Sequence, residues 1–464
     1  METTKNSSQL KDFTRGNLFS HILRFAFPIL LSYFFMIMLN TVDMVVVGQK
    51  YGEAGTSAVS IGASVAMFIN AFLTGFMSAA QVIISRIIGS GKKEQLSGFV
   101  STLVALTFLL SLVFAAIMIP FIKPMLGLLN TPEEAYDGAY RYALTCMFGL
   151  IPIFGYHLMS AIFRGMGDSK HPFVFITIAC TLNIALDVLF VTVFDMGVMG
   201  AAVATVIAQL VSVICSASLL IRRHTEFELH FGFSDLLSWK RDDILPFIKL
   251  AIPMAINAAA IQVAIMVVNA MTNDFGVSVS AFAGIKANID TTITLVFEAF
   301  TIAAAMIIAQ NLAAGELQRV KKTMLYVGAI SLSLAILFSL SFLLFPRTIF
   351  GIFTSEQKVL AIVKSYVPIA VLTFIGMGLR PITKSLVDGS GSKLINIVNA
   401  LLDAVAARIG FAVIFGILLD MGYLGFWLGA ALALFVPIAV EIAFYFSGIW
   451  KKAAIKQTEE KTAE

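Results

Sequence analysis

Residues 24–48 read RFAFPILLSYFFMIMLNTVDMVVVG, an apolar run in which Arg24 and Asp43 are the only charged side chains. A helix of about 20 mostly apolar residues crosses the hydrocarbon core of a bilayer, so this run predicts a membrane-spanning helix. An aspartate at the centre of such a helix costs roughly 2.5–3.5 kcal/mol on insertion scales. Asp43 is therefore a candidate functional residue.

The composition extends this prediction to the whole chain. Of its 464 residues, 59% are hydrophobic and 13% are charged, and the mean hydropathy is +0.91. Ordinary soluble domains are about 45–50% apolar and about 25% charged, so we expect an all-α polytopic membrane protein. The net charge of +4 is small and no Lys/Arg-rich stripe occurs, so no nucleic-acid partner is expected. The three cysteines lie in apolar segments and indicate no disulfide framework.

Twelve runs of this kind, including the first, predict twelve transmembrane helices. The predicted spans are residues 20–48, 54–85, 98–122, 138–160, 172–194, 199–221, 247–272, 278–311, 322–345, 359–380, 393–418 and 425–449.

The chain contains an internal repeat. RFAFPILLSYFF (24–35) aligns with KLAIPMAINAAA (249–260), and FDMGVMG (194–200) aligns with LDMGYLG (419–425), both at an offset of 225 residues. Because each half holds six helices, an even number, both halves enter the membrane from the same side as parallel repeats. The predicted organisation is an N-lobe, a cytoplasmic linker and a C-lobe, at residues 1–221, 222–246 and 247–464.

Lysine and arginine predict the orientation. If both termini and every second loop are cytoplasmic, that side holds 24 of the 32 basic residues and the opposite side holds six. Positive residues accumulate on the cytoplasmic side, so we expect both termini in the cytoplasm.

Seven ionisable residues fall inside the predicted spans. Lys286 and Asp290 are four apart on one helix face and are expected to pair, and Glu298 lies on roughly the same face. Asp403 and Arg408 are five apart, a spacing that disfavours pairing within an α-helix. Asp290, Glu298 and Asp403 are therefore secondary candidates for a cation site, and the other two ionisable residues are Asp43 and Asp187.

Asp43 and Asp187 have no lysine or arginine within two turns on their own helices. Asn40 and Asn183 lie three and four residues before them, on the same helix faces. A buried carboxyl group can take up a proton near neutral pH, and carboxylate, amide and hydroxyl oxygens also suit a hard cation such as Na⁺. The alternative is that the two carboxyl groups cap kinked helices or are buried in protonated form.

The repeat makes these two aspartates more informative. In the second half, the position of Asp43 is occupied by Val268 and that of Asp187 by Phe411 or Ala412. Both carboxyl groups thus occur in the first half alone, which predicts one cation site there.

Four stretches resemble the MATE family of multidrug and toxic compound extrusion transporters, and within it the DinF-like branch. They are PILLSYFFMIMLNTVDMVVVG, RGMGDSK, TLNIALDVLF and MGVMGAAVATVIAQ, in or after helices 1, 4, 5 and 6. The resemblance implies a two-lobed, twelve-helix secondary antiporter, not an enzyme, that needs no cofactor beyond H⁺ or Na⁺ as coupling ion. It also implies export of organic-cation drugs or metabolites by alternating access, in a bacterial plasma membrane.

The resemblance also implies site residues. The DinF-like branch is understood to bind its coupling ion with an aspartate in helix 1, an asparagine and an aspartate in helix 5, and a threonine in helix 6. Here these are Asp43, Asn183, Asp187 and Thr205, which would also hold Na⁺ if sodium is the coupling ion. Pro28 matches the proline at which helix 1 of that branch bends.

The substrate path is expected to be apolar and deformable, because the chain holds 40 Phe and 20 Met. Candidate cavity residues near the predicted site are Tyr33, Met36, Asn40 and Met67. The alternative for each is packing within a lobe or contact with lipid.

Rival functions stay open at this point. A flippase for lipids or lipid-linked precursors, from the same superfamily, would share the two-lobed architecture, although such proteins commonly have additional spans and a cationic cavity. A channel would need a continuous pore. An ATP-driven pump is disfavoured because no G-x-x-x-x-G-K-[ST] loop occurs. The expected partners are small organic cations and the lipid bilayer, and a monomer is expected.

Overall fold

The computed structural model describes residues 10–129, 131–229 and 241–451, and all regular structure in these ranges is helical. Eleven helical segments are long and apolar enough to cross a membrane. A twelfth span is formed by two helices, Glu133–Phe148 and Leu150–Gly165, which meet at an angle of 56°. The predicted all-α fold with twelve spans is confirmed.

The first two predicted spans form one long element, α1 (Leu18–Ser90), interrupted at Gly52. Gly52 has φ 64° and ψ −150°, a conformation that glycine adopts without steric cost. The helix direction therefore changes close to the predicted loop between the two spans.

The remaining helices follow in chain order. They are α2 (Glu94–Leu128), α3 (Glu133–Phe148), α4 (Leu150–Gly165), α5 (Lys170–Asp187), α6 (Val198–Arg222), α7 (Arg241–Asn273), α8 (Val277–Ala313), α9 (Leu317–Leu344), α10 (Pro346–Gly351), α11 (Gln357–Ser390), α12 (Lys393–Asn399), α13 (Gly410–Ala412), α14 (Gly422–Ala433) and α15 (Phe435–Ser447). π-Helical segments cover Val188–Val193, Ala400–Ile409 and Val413–Leu418, and a 3₁₀ turn covers Ile449–Lys451.

The backbone repeats at the offset found in the sequence. The π-helical segment Val188–Val193 is matched 225 residues later by Val413–Leu418. After each segment an aspartate takes a positive φ, 55° at Asp195 and 51° at Asp420. Such a φ is uncommon outside glycine, so the shared conformation is strong evidence that the two halves are structural repeats.

The chain divides into two compact units, with the main boundary between Ile248 and Lys249. The short segment Phe13–Ala26 belongs to the second unit, although the expected N-lobe included it. Hydrogen bonds explain this placement. The Phe13 N–H donates to Gln310 Oε1 at 2.9 Å, and the Arg319 guanidinium donates to the carbonyl oxygens of Phe13 and Gly16 at 2.9 and 3.2 Å.

Close helix packing in the first unit depends on glycines. A Cβ at Gly149 would lie 2.2 Å from a methyl group of Val206, and one at Gly62 would lie 2.9 Å from Cδ1 of Tyr142. Because glycine has no side chain, α1 can approach α3 closely at Gly62, and the α3–α4 junction can approach α6 at Gly149. These approaches bring together the helices that carry the candidate site.

Candidate functional site

Four helical elements of the first unit place five polar side chains together. Asp43 lies on α1, Tyr142 on α3, Asn183 and Asp187 at the end of α5, and Thr205 on α6. The side chains of Asp43, Asn183 and Asp187 are each at most 1% exposed. The structure thus brings together all four residues predicted for the cation site and adds a tyrosine.

Asp43 accepts hydrogen bonds from three neutral side chains. Tyr142 and Thr205 donate to Oδ2 at 3.0 and 3.1 Å, and Asn183 Nδ2 donates to Oδ1 at 3.3 Å. Asn183 Nδ2 is also 3.2 Å from Thr205 Oγ1. Neutral donors stabilise a carboxylate but add no positive charge to the site.

Asp187 has a different environment. Its carboxyl group interacts electrostatically with that of Asp43, yet neither of its oxygens receives a hydrogen bond from the described residues, and Asn183 Oδ1 also lacks a donor. Unsatisfied buried acceptors cost about 1–3 kcal/mol each, and two adjacent carboxylates repel each other. A proton or a small cation between the two carboxyl groups would remove both costs.

The backbone changes at Asp187. The α-helix ends there and the π-helical segment Val188–Val193 begins. π-Helical turns insert an extra residue per turn and occur frequently at functional sites. Asp187 thus lies at the point after which successive side chains take different angular positions around the helix axis from those in a regular α-helix.

The second unit replaces this site with an apolar cluster. Val268 and Ala412, at the positions matching Asp43 and Asp187, are buried together with Phe426. In the described part of the second unit, the matching positions therefore offer no carboxyl group.

Pro28 lies inside α1, two residues after the point at which the chain passes from the second unit to the first. Proline removes one backbone hydrogen bond from a helix. The Pro28 carbonyl accepts a hydrogen bond from Ser32 Oγ at 2.7 Å.

The expected cavity residues have other surroundings. The Tyr33 ring lies 5.9 Å from the Arg164 guanidinium, and Met36 packs against a cluster that includes Leu39 and Tyr156. The side chains of Asn40 and Met67 lie outside the described residues. An open depression of about 570 Å³ lies at the Gly52 break in α1, lined by Met44, Gly48, Gly52, Glu53, Thr56, Ser57 and Ser60.

Two of the secondary candidates form ion pairs with lysine. Asp290 pairs with Lys286 at 2.6 Å, which confirms that prediction. Glu298 does not join them and instead lies 3.4 Å from Lys384. Both carboxyl groups therefore already have a counter-charge within the second unit.

The expectation that Asp403 and Arg408 would not pair within their helix is wrong. Arg408 Nε lies 3.0 Å from Asp403 Oδ1, and Arg380 Nη1 lies 3.2 Å from Oδ2. The segment Ala400–Ile409 is π-helical, and a π-helix connects residues five apart. The spacing that disfavours a pair in an α-helix therefore favours one here.

Tyr142 is the site residue that sequence reasoning missed. The one available signal is that the second half also has a tyrosine, Tyr366, at an offset of 224. A shared tyrosine indicates a buried aromatic position but does not predict a hydrogen bond to Asp43.

The motif RGMGDSK has a structural role at the start of α5. Asp168 Oδ1 accepts hydrogen bonds from the backbone N–H groups of Lys170 and His171 at 2.9 and 3.2 Å, and Oδ2 pairs with His171 Nδ1. Burial alone would raise the pKa of Asp168, but these bonds and the His171 charge outweigh it and lower the pKa. Asp168 is thus an anionic cap at a helix N-terminus.

Comparison with known proteins agrees with this arrangement. The MatE family model matches residues 28–189 and again residues 253–414. The Bacillus subtilis protein named "Probable multidrug resistance protein YpnP" is 26% identical over 97% of this chain and 99% of its own length. The Shewanella oneidensis "FAD transporter" is 25% identical over 75% of this chain and 76% of its own length.

Among solved structures, the bent form of the Vibrio cholerae MATE transporter VcmN superposes with a TM-score of 0.82. It is 20% identical in sequence, and the match covers 95% of this chain and 98% of that one. Because the family model matches both halves and more than half of the residues, this chain belongs to the MATE family of multidrug efflux transporters.

Proposed function

We propose that this protein exports organic cations in exchange for H⁺ or Na⁺, by alternating access, with Asp43 and Asp187 as the coupling site. The observation that carries this proposal is the pair of fully buried carboxyl groups, in which both oxygens of Asp187, and the neighbouring Asn183 Oδ1, lack donors among the described residues. Such a pair is stable only with a proton or a cation between its members.

The chemistry of exchange follows from the charges. With no ion bound, the site carries negative charge in a low-dielectric environment and attracts an organic cation. When H⁺ or Na⁺ binds between Asp43 and Asp187, it neutralises one of the two negative charges, and Asn183 Oδ1 offers a further oxygen to Na⁺. Ion and substrate therefore compete, and their different affinities for two conformations can drive the exchange.

The proposed setting is a bacterial plasma membrane with both termini in the cytoplasm. The support is the excess of lysine and arginine on one set of loops. The two units each contain a complete repeat, so a monomer is sufficient for this mechanism.

The deciding experiment is transport in proteoliposomes with an imposed pH or sodium gradient. Wild type is expected to move ethidium against its concentration gradient. In Asp43→Asn and Asp187→Asn, the rate of transport driven by the pH or sodium gradient is expected to fall at least tenfold. Asp137→Asn is the matched control, because Asp137 is exposed and pairs with Arg141, outside the site. Gradient-driven transport that is unchanged in Asp43→Asn would refute the coupling site.

The same transport assay with a flavin nucleotide as substrate tests the substrate class. A relative is named an FAD transporter, and such a substrate is anionic. Transport of FAD but not of ethidium would overturn the organic-cation assignment while leaving the coupling site open to the same mutational test.

A further inference from the structure

Glu441 on α15 is a fully buried carboxyl group that the transport site does not use. It is 1% exposed and lies within the membrane-crossing segment Gly422–Ser447. Thr383 Oγ1 donates to its Oε2, and Asn399 Nδ2 donates to its Oε1 at 2.8 Å. No lysine, arginine or histidine among the described residues forms an ion pair with it.

The charged side chains around Glu441 pair with one another. Asp403, from the π-helical segment Ala400–Ile409, is shared by Arg380 of α11 and by Arg408. This group of three carries a net charge of +1 when all its members are ionised.

A second group lies further along α11. Lys384 Nζ is 2.8 Å from Asp388 and 3.4 Å from Glu298, which gives this group a net charge of −1. Together the two groups are neutral. An ionised Glu441 interacts electrostatically with Arg380. With Glu441 ionised, however, these seven side chains carry a net charge of −1, which is costly inside the membrane and which one proton removes.

Asn399 provides an independent observation. It is 1% exposed, its Nδ2 donates to Glu441, and its Oδ1 has no partner among the described residues. A side-chain amide offers donors on one side and an acceptor on the other. Turned over by 180°, it would accept the O–H of a protonated Glu441, so this pair can serve both protonation states.

The repeat shows that this arrangement is specific to the second unit. The position matching Glu441 in the first unit is Ser216, which is buried and whose hydroxyl group donates to the carbonyl oxygen of Val213 at 2.9 Å. The two halves thus differ at two sites. The first half has Asp43 and Asp187 where the second has apolar residues, and the second half has Glu441 where the first has a serine.

We propose that Glu441, with Thr383 and Asn399, forms a second proton-binding site of this transporter, in addition to the Asp43–Asp187 pair. Proton binding at Glu441 does not depend on the proposed antiport. Its contribution to coupling does, because a second exchangeable proton would raise the number of protons moved per substrate.

Infrared titration of the purified full-length protein tests the binding directly, through the C=O band of protonated carboxyl groups. Glu441→Gln keeps the side-chain shape and is expected to lose the band of one carboxylic acid at neutral pH. Thr383→Val removes a donor to the Glu441 carboxylate, so the C=O band of protonated Glu441 is expected to persist to higher pH in this variant than in wild type. Glu133→Gln, at an exposed helix end, should match wild type.

The outcomes separate the two proposals. Glu441→Gln spectra that superimpose on wild type from acid to alkaline pH would overturn the Glu441 site. If Glu441→Gln loses its band while Asp43→Asn leaves ion coupling unchanged, the second site stands and the proposed coupling site falls. If both hold, the proton-to-substrate ratio in proteoliposomes is expected to fall by one in Glu441→Gln.

Discussion

Asp43 and Asp187 differ in hydrogen bonding although both are fully buried. Asp43 accepts bonds from Tyr142, Thr205 and Asn183, whereas Asp187 receives none from the described residues. Donors favour the ionised form of the carboxyl group that they contact. The donors around Asp43 therefore stabilise the ionised pair, and removing one of them should favour uptake of the proton shared by Asp43 and Asp187.

Tyr142→Phe tests the role of the hydrogen bond to Asp43. Loss of a donor to a carboxylate weakens the ionised form by about 1.5–3 kcal/mol, and about 1.4 kcal/mol corresponds to one pH unit. The midpoint of pH-dependent ethidium transport is expected to move to higher pH by at least about one unit.

Tyr136→Phe is the control for that shift, because Tyr136 lies outside the site on the same helix, α3. The donor role assigned to Tyr142 would be wrong if the pH profiles of Tyr142→Phe and wild type coincide.

At the scale of elements, helix spacing positions Tyr142. The close approach of α1 and α3 at Gly62 leaves no room for a side chain beside the Tyr142 ring. The π-helical segment after Asp187 changes the direction of the neighbouring side chains in the same way that Ala400–Ile409 does for Asp403. Irregular backbone thus supports both polar clusters.

Gly62→Ala is expected to displace Tyr142 and destabilise the first unit by about 1–3 kcal/mol, the usual cost of overpacking. Thermal unfolding in detergent measures the stability, and the pH profile of transport should shift in the same direction as for Tyr142→Phe.

Gly127→Ala in α2 is the matched control, since a Cβ there meets nothing within 4 Å and alanine favours helix by up to about 1 kcal/mol. Equal stability of the Gly62→Ala and wild-type proteins would show that the helices can separate without cost.

At the scale of the whole molecule, two repeats share a backbone but differ in chemistry. The matched π-helical segments and the matched positive φ values of Asp195 and Asp420 show the shared backbone. The buried cluster around Val268 and Ala412 replaces the carboxyl pair of the first unit. A duplicated fold can therefore keep its backbone while only one copy keeps carboxyl groups at these matched positions.

Val268→Asp tests how far the second copy has diverged. Its neighbours Ala412 and Phe426 offer no side-chain donor, so the new carboxyl group should cost roughly 2.5–3.5 kcal/mol or more. Lower yield of folded protein is expected, and the substitution should not restore transport to Asp43→Asn.

Val268→Ala controls for the loss of volume alone. Restored ion coupling in the Asp43→Asn, Val268→Asp double variant would contradict the view that, of these two matched positions, only that of the first unit has donors for a carboxyl group.

The sequence by itself determined the twelve spans and the 225-residue repeat, because hydrophobicity and repeat register can be read directly along the chain. The grouping of Asp43, Asn183, Asp187 and Thr205 was implied by the family resemblance. Only the tertiary structure decided the Tyr142 bond to Asp43, the Asp403–Arg408 pair and the partners of Glu441. These depend on how helices distant in sequence approach one another and on where an α-helix becomes a π-helix. A pattern of 3.6-residue periodicity contains neither kind of information.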